Sequence, residues 1–329
     1  MKTSEEPLVA EKTTSVKTMK AIRIHSFGDA SVLQYEDAPI PQLLPDEVLI
    51  KVHAAGVNPV DWKIRKGGYR GGSITFTLPF ILGWDVAGKI DQVGSLVSRF
   101  KVGDKVFAKP DGTRNGAYAQ FIAVRAHEVA LAPKNIPLEQ AAGIPLAGQT
   151  AWVGLFEKGN LQKDQSVLIH AGAGGVGSFA IQFAKAAGAH VISTCSKGNI
   201  DLVKSLGADE VIDYHAEDFS KKVSNVDVVL DTIGGETQAK SFAVIKKGGI
   251  LVSTLGEPDA KEAAKYGIRG AGFMVMPCGA RLQEIAALAD KGLLKVMVEK
   301  EFPLQEVKEA HKLSEAGHVR GKVILRVSQ

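Results

Sequence analysis

The chain has 329 residues, of which 45% are hydrophobic and 23% charged, with a formal net charge of +4. A chain of this length is longer than chains that fold around a single hydrophobic core, so we predict two domains. The 40 basic residues are interspersed with 36 acidic ones, which argues against the clustered basic surface of a nucleic-acid-binding protein. No apolar run approaches the roughly 20 residues of a membrane span.

Residues 1–18 contain three glutamates and no continuous apolar segment. We therefore expect a polar leader, and neither a secretory signal nor an acid-poor transit peptide. The two cysteines, Cys195 and Cys278, are too few for a disulfide framework or a four-thiolate zinc site. A reducing, cytoplasmic location is the expectation.

Short β-type runs separated by Gly, Pro and Asp fill the first third of the chain. They are "KAIRIHSF", "EVLIKVHAAGV", "DVAGKIDQVG" and "DKVFAKP". Such runs predict a small, curled antiparallel β-domain.

From about residue 137 the pattern becomes helical, and strands and helices then alternate. This alternation predicts βαβ units and a parallel sheet. The predicted strands are 166–170, 190–194, 209–213, 226–231, 249–253 and 272–276. The predicted helices are 175–187, 199–206, 236–245 and about 279–291.

The chain continues with a predicted strand in "KVMVEKEF", a helix at 304–315 and a strand in "KVILRV". We expect these elements to return to the first domain. The expected domains are then 19–136 with 293–329, and 137–292. The apolar strand 272–276 would lie at a sheet edge, where it invites pairing with a second copy, so we expect a homodimer.

A glycine-rich loop, Gly172-x-Gly174-x-x-Gly177, follows the strand "SVLIH" directly and opens a helix. The first glycine would allow a tight turn, the second a close approach to a pyrophosphate, and the third the packing of helix on strand. The phosphates would meet the free N–H groups of the helix. Alone, this pattern is also compatible with a simple glycine turn. With a complete strand, loop, helix and second strand, it predicts a dinucleotide site.

The end of the second strand indicates which dinucleotide binds. An NAD site has an acidic residue there, but this strand ends in Thr194, Cys195, Ser196 and Lys197, and the next acid is Asp201 in a helix. Hydroxyls and an ammonium suit a 2′-phosphate, which favours NADPH. The alternative is that Lys197 is a solvated turn residue and the selectivity is weak.

Further motifs include "AAGVNPVDWKIRKGGY", "LPFILGWDVAGKIDQVG", "GAYAQFIAV", "AAGIPLAGQTAW", "KSLGADEVIDY" and "VDVVLDTIGG". In this order they resemble the medium-chain dehydrogenase/reductase superfamily, and within it the zinc-free quinone oxidoreductase branch with the plant-type enone reductases. The resemblance extends over residues 19–327. It implies an α/β fold in which a GroES-like catalytic domain and a Rossmann domain enclose the active site.

The sequence departs from the zinc-dependent members of that superfamily. Asn58 stands where they carry a cysteine ligand, and Trp84 and Asp85 stand where they carry a His-Glu pair. The four-cysteine lobe of the structural zinc is also missing. Because zinc needs Cys, His or carboxylate ligands at fixed spacing, we predict no metal.

Without a Lewis acid, alcohol oxidation lacks stabilisation of its alkoxide. A conjugated acceptor needs less help, because it takes hydride at carbon and spreads the charge to oxygen. We therefore expect NADPH-dependent reduction of a small-molecule quinone or α,β-unsaturated carbonyl. The alternatives are reduction of another activated double bond, such as an enoyl thioester, and a non-catalytic NADPH-binding sensor or structural protein.

The resemblance also implies site residues. Asn58 and Lys63 would line the cleft near the nicotinamide, and Tyr69 is a candidate proton donor, with solvent as the alternative. The expected cofactor-binding residues, including those of the glycine loop and the strand end, are Thr150, Gly172, Gly174, Gly175, Val176, Gly177, Thr194, Ser196, Lys197, Tyr214, Gly234 and Lys322.

Overall fold

The structure, a computed structural model, describes residues 17–68 and 76–328. Most of the expected leader, residues 1–16, and the candidate proton donor Tyr69 lie outside the described residues.

Short β-strands dominate the first part of the chain, as its Val-, Ile- and Phe-rich runs predict. They are β1 (Thr18–Ile24), β2 (Gln34–Pro39), β3 (Glu47–Val57), β4 (Phe80–Ile81), β5 (Asp85–Val93), β6 (Lys105–Ala108), β7 (Phe121–Arg125) and β8 (Val129–Leu131). β3 pairs antiparallel with β5 and β7. The helix α1 (Pro59–Arg65) follows β3 and has proline at its first position, where the missing N–H removes no helical hydrogen bond.

The middle of the chain alternates helices and strands. In chain order these are α2 (Leu138–Ala141), α3 (Pro145–Trp152), β9 (Ser166–Ile169), α4 (Gly175–Ala186), β10 (His190–Cys195), α5 (Ile200–Ser205), β11 (Glu210–Asp213), β12 (Val226–Asp231), α6 (Gly235–Ser241), β13 (Ile245–Ser253), α7 (Ala260–Tyr266), β14 (Arg269–Gly272) and α8 (Gly279–Asp290). The strands form a parallel sheet in the order β11-β10-β9-β12-β13-β14. This is the doubly wound order of a dinucleotide-binding sheet, so the predicted fold class is confirmed.

The chain then adds β15 (Val298–Pro303), α9 (Val307–Glu315) and β16 (Lys322–Arg326). β16 pairs parallel with β15 and antiparallel with β3. One of the strands that pair with β3 in the first domain's sheet therefore comes from beyond residue 320. The residue boundaries of the two domains stay predictions.

The predicted strand 272–276 is wrong. β14 ends at Gly272, where a Cβ would lie 2.4 Å from the backbone nitrogen of Glu257. The chain leaves the sheet at this close contact between Gly272 and Glu257. The apolar residues that follow line the cleft between the domains instead; they are Phe273, Met274 and Val275.

The predicted helix 236–245 is too long. α6 ends at Ser241, a 3₁₀ turn covers Phe242–Val244, and β13 begins at Ile245. Phe242 and Val244 are both buried, at a two-residue spacing that does not fit one face of an α-helix. The other predicted strands and helices differ from the observed ones by at most four residues at either end.

One hydrophobic cluster is continuous between the domains. It joins Phe179 and Phe183 of α4 to Phe107 of β6 and Ile324 of β16, all nearly inaccessible. Because interiors of this kind are close-packed, the cluster sets the position of the domains on either side of the cleft.

Candidate active site

A cleft of about 460 Å³ lies between the two domains. The glycine loop and the start of α4 form one wall, and the start of α1 with Trp84 forms the other. Further residues that line it are Thr150, Thr232, Ile233, Thr254, Leu255, Phe273, Met274, Gly321 and Lys322.

Gly172 and Gly177 permit contacts that a side chain would prevent. A Cβ on Gly172 would lie 2.1 Å from Ser193 Oγ in β10, and one on Gly177 would lie 2.2 Å from the carbonyl oxygen of Ala171. These glycines hold α4 close to the strands. The residue with left-handed backbone in this turn is Ala171, with φ of 54°, whereas the pattern predicted that Gly172 would provide the turn.

The N-terminus of α4 faces the cleft. Gly174 is its N-cap and offers no side chain to the first N–H groups, and Gly174, Gly175 and Val176 all line the cavity. A Cβ on Gly175 would approach Gly321 O and Lys322 Cδ to 3.2 Å. A bare helix N-terminus in a glycine cradle fits the pyrophosphate of a dinucleotide.

Asp231, at the end of β12, shapes the next loop of the cleft. Its Oδ1 accepts hydrogen bonds from the backbone N–H groups of Ile233 and Gly234, both at 2.9 Å. Gly234 has φ of 75°, a backbone conformation that favours glycine. Gly234 is buried and is not among the lining residues; Thr232 and Ile233, beside it, reach the cavity.

Three buried polar side chains meet at the other end of the cleft. Lys322 Nζ donates to Asp85 Oδ2 at 3.0 Å and to Asn58 Oδ1, and Asn58 Nδ2 donates to Asp85 Oδ2 at 2.8 Å. Asp85 Oδ1 accepts the N–H of Leu146 at 2.6 Å. We call Asn58, Asp85 and Lys322 the buried triad. It brings together two predicted site residues from distant parts of the chain.

Behind the triad, Asp61 is fully buried. Its Oδ2 accepts hydrogen bonds from Asn58 N at 2.8 Å and from the Tyr118 hydroxyl at 2.9 Å. Burial nevertheless raises the pKa of the Asp61 carboxyl to about 7. A carboxyl with a pKa near neutrality thus lies directly behind Asn58, which lines the cleft.

Thr150 and Lys63 complete this end of the cavity. Thr150 is 8% exposed, and its hydroxyl donates to Leu146 O at 2.7 Å. The Lys63 ammonium lies 5.5 Å from the centre of the Trp62 ring. Both residues line the cleft, where the resemblance implied that they would be.

The turn after β10 carries exposed groups, and the predicted site residues Ser196, Lys197 and Tyr214 are not among the residues that line the cavity. Lys197 is exposed, Ser196 Oγ accepts a hydrogen bond from Asn199 Nδ2 at 3.0 Å, and Tyr214 is 50% exposed. Among the residues that the structure describes, Lys197 makes no ion pair. An uncompensated ammonium beside a hydroxyl is suited to an anion.

Thr194 does not join this exposed group, contrary to prediction. It is 4% exposed, its Oγ1 lies 3.1 Å from His170 Nδ1, and it accepts the N–H of Ala171 at 3.3 Å. Ser193, Thr194 and Cys195 are all buried, because β10 lies inside a parallel sheet that is covered on both faces. Burial lowers the pKa of His170 to about 4, so this contact involves a neutral imidazole at neutral pH.

The sequence matches the alcohol dehydrogenase GroES-like domain family over residues 44–134 and the zinc-binding dehydrogenase family over residues 206–325. Over 94% of the chain it is 36% identical to the mitochondrial NAD(P)H oxidoreductase RTN4IP1 of Danio rerio, covering 92% of that protein. The chain belongs to the medium-chain dehydrogenase/reductase superfamily.

Two more members of the superfamily are similar over nearly the whole chain. The chloroplastic NADPH-dependent alkenal/one oxidoreductase of Arabidopsis thaliana is 38% identical over 94% of this chain and 80% of its own length. The quinone oxidoreductase of Coxiella burnetii has a structure that superimposes with a TM-score of 0.88 at 36% identity, covering 95% of this chain and all of the other. As a medium-chain dehydrogenase/reductase, the protein is an oxidoreductase with a nicotinamide cofactor.

Asn58, Trp84 and Asp85 occupy the positions of the zinc ligands in the zinc-dependent members of the superfamily. Within residues 17–68 and 76–328, no three His, Cys, Asp or Glu side chains are grouped so that they could hold a metal ion. The metal-free reaction itself stays a prediction. No described helix has the length and apolar character needed to cross a membrane.

Two acidic residues of the site were not predicted. From the sequence, Asp85 stands in place of a zinc ligand without replacing it, and no role is predicted for Asp231. The signal for each was an aspartate at one end of an apolar strand, "DVAGKI" and "VDVVLD", because a buried carboxylate needs a partner. The sequence gives no indication of which partner each one finds.

Proposed function

We propose that the protein is an NADPH-dependent reductase that transfers hydride to quinones or α,β-unsaturated carbonyls without a metal. The observation that carries the cofactor assignment is the end of β10, where Lys197 is exposed and without an ion pair among the described residues. Asp213, on the neighbouring strand β11, is 8% exposed, and its Oδ1 already accepts the N–H of His215. The relatives named for NADPH, alkenal/one and quinone reduction support the acceptor class.

In this proposal each wall of the cleft has a separate task. When bound, the cofactor supplies the hydride. The backbone N–H groups at the start of α4 bind the pyrophosphate. The Lys63 ammonium stabilises the negative charge that develops on the acceptor oxygen. Lys322 contacts the nicotinamide half of the cofactor, and the apolar wall at Phe273 excludes water. Solvent delivers the proton, with Tyr69 as the second candidate.

The first experiment compares NADPH and NADH oxidation by the purified protein with 1,4-benzoquinone, 9,10-phenanthrenequinone and a short enone. We expect turnover with NADPH and weak or no turnover with NADH. Lys63→Met should lower kcat/KM at least tenfold. Lys66→Met, at the residue that caps the end of the same helix and lies outside the cleft, should not.

Tight NADPH binding without turnover on any of these acceptors would contradict the proposed substrates and favour a sensor role or another activated double bond. Metal analysis of the active protein tests the metal-free reaction. We expect less than one tenth of an equivalent of zinc, and activity that survives a chelator.

A homodimer and a cytoplasmic location are further parts of the proposal. β14 is one of the two edge strands of its sheet, and Met276, just beyond it, is 67% exposed, which supports pairing with a second copy. Light scattering should give twice the mass of one chain, and Met276→Glu should reduce it. Two of the relatives are named as mitochondrial and chloroplastic, so cell fractionation is the test of location.

A further inference from the structure

A segment of the catalytic domain crosses the glycine loop. Residues 317–321, between α9 and β16, form what we call the C-terminal strap. Gly321 N donates to Ala173 O at 2.7 Å, and Gly321 forms a parallel bridge with Gly174. Gly321 has φ of 70°, and a Cβ there would lie 2.2 Å from Met297 O. The strap is therefore fixed in position directly over the phosphate cradle.

Arg320 extends from the strap toward the other domain. Its Nη2 donates to Gly198 O at 3.3 Å, in the turn that follows β10. The residue is exposed. Its backbone N–H donates to a Glu299 carboxylate oxygen at 3.2 Å, but its guanidinium makes no ion pair within the described parts of the chain. Four of its five N–H donors are thus left for another partner.

Arg320 therefore reaches the turn that carries Lys197. Near it, the backbone N–H of Tyr214 donates to Cys195 O at 3.2 Å, so the Tyr214 side chain projects from the adjacent strand end. Two cations without a carboxylate partner repel each other weakly in water. A dianion bound between them would remove that repulsion and gain charge-assisted hydrogen bonds.

We propose that Arg320 binds the 2′-phosphate of NADPH from the catalytic domain, so that this phosphate links the two domains and holds the cleft closed. The inference rests on the proposed function only in requiring a cofactor with a 2′-phosphate. The planar guanidinium fork matches two phosphate oxygens. Selectivity for NADPH then resides in both domains, and NADH binds without closing this link.

The test uses fragments of the cofactor, so that it does not depend on turnover. Calorimetry measures the affinity of adenosine 2′,5′-bisphosphate and of adenosine 5′-monophosphate for the wild type, Arg320→Met and Arg326→Met. Arg326 is exposed on β16 and lies 3.6 Å from Glu301, which makes it a matched control. We expect Arg320→Met to weaken binding of the bisphosphate at least tenfold and of the monophosphate less than twofold. Arg326→Met should change neither.

Hydrogen exchange reports the link between domains. The Gly321 amide, bonded to Ala173 O, should exchange at least tenfold more slowly with saturating bisphosphate in the wild type, but not in Arg320→Met. Lys197→Met, saturated at higher ligand concentration, should keep this protection because its strap is intact.

The outcomes separate the two proposals. A wild type that binds both fragments equally would overturn the NADPH assignment and this inference together. A wild type that prefers the bisphosphate, with Arg320→Met retaining the same preference, would overturn only the role of Arg320. Equal loss of both fragments in Arg320→Met would show a structural role for the strap and would also overturn it.

Discussion

Charge lies in opposite environments in two regions of the site: the buried triad, here the buried end, and the turn after β10 with Arg320, here the exposed end. At one end the buried triad neutralises the Lys322 ammonium with Asp85, and both side chains are at most 4% exposed. At the other end Lys197 and Arg320 are exposed and make no ion pair among the described residues. A buried charge needs a partner within the protein, because its desolvation is costly. A solvated charge has no such cost and can remain unpaired until a ligand binds. The buried end is therefore preorganised, and the exposed end is free to select an anion.

Removing one charge of the buried pair should have the largest effect. Asp85→Asn leaves the Lys322 ammonium buried without a counter-charge, so we expect the free energy of unfolding to fall by about 3–5 kcal/mol. Urea unfolding without cofactor measures it. Asp85→Asn combined with Lys322→Met removes both charges and should recover much of the loss. A single variant within about 1 kcal/mol of the wild type would show that the pair is not desolvated in solution.

The raised pKa of Asp61 provides a second test of the buried end. Burial raises its pKa to about 7 from 3.8, so between these values the folded chain holds a proton that the unfolded chain has released. This group therefore makes the free energy of unfolding fall as pH rises from about 4 to 7. Relative to wild type, Asp61→Asn should gain about 2 kcal/mol between about pH 5 and pH 7. Urea unfolding measures this difference. If the free energy of unfolding had the same pH dependence in the wild type and in Asp61→Asn, the raised pKa would be contradicted.

Between the two ends, the glycine loop is fixed by steric contacts. Gly172→Ala would place its methyl group 2.1 Å from Ser193 Oγ, which should cost about 1–3 kcal/mol of stability and weaken cofactor binding. Adding Ser193→Ala removes that oxygen and should restore part of both. Gly177→Ala meets the Ala171 carbonyl oxygen instead, so no side-chain change should rescue it. Calorimetric binding of NADPH and thermal unfolding distinguish the two cases.

The exposed end should show the smallest effect and the strongest dependence on salt. Lys197→Met should raise the Kd for NADPH by about three- to tenfold, or about 1 kcal/mol, because it removes one solvated charge contact. The loss should shrink as salt rises from about 50 to 300 mM, since exposed charges are screened. Lys204→Met, an exposed lysine on α5, is the control. A salt-independent loss would mean that Lys197 acts from a desolvated position.

Local features of the fold were predictable from sequence, and contacts between distant segments were not. The glycine loop follows β9 directly, and the βαβ alternation determines its sheet, so the glycine loop and its place in the sheet were predictable from pattern alone. The pairing of Asp85 with Lys322 joins positions 237 residues apart, for which no spacing rule exists. Here the family resemblance pointed to Asn58 and Lys322 but not to the aspartate that holds them.

The predictions from sequence were wrong where the same residues are compatible with two different structures. The run "GFMVM" has the composition of an edge strand, but its apolar side chains line the cleft after β14 has ended. Thr194 belongs to the motif that predicts a phosphate site, but its side chain is buried beside His170. Both faces of a parallel sheet are covered, and how far that cover extends at a strand end depends on the elements that pack there.

The pairing of β16 with β3 also sets an order of events during synthesis. Domains generally fold as units in the order in which the ribosome delivers them. Here β3 has β16 as a neighbour in its sheet, and β16 is made only after the whole parallel sheet. The domain that begins first is therefore finished last. A nascent chain that stalls before residue 322 exposes one edge of β3, a site for a chaperone or for aggregation.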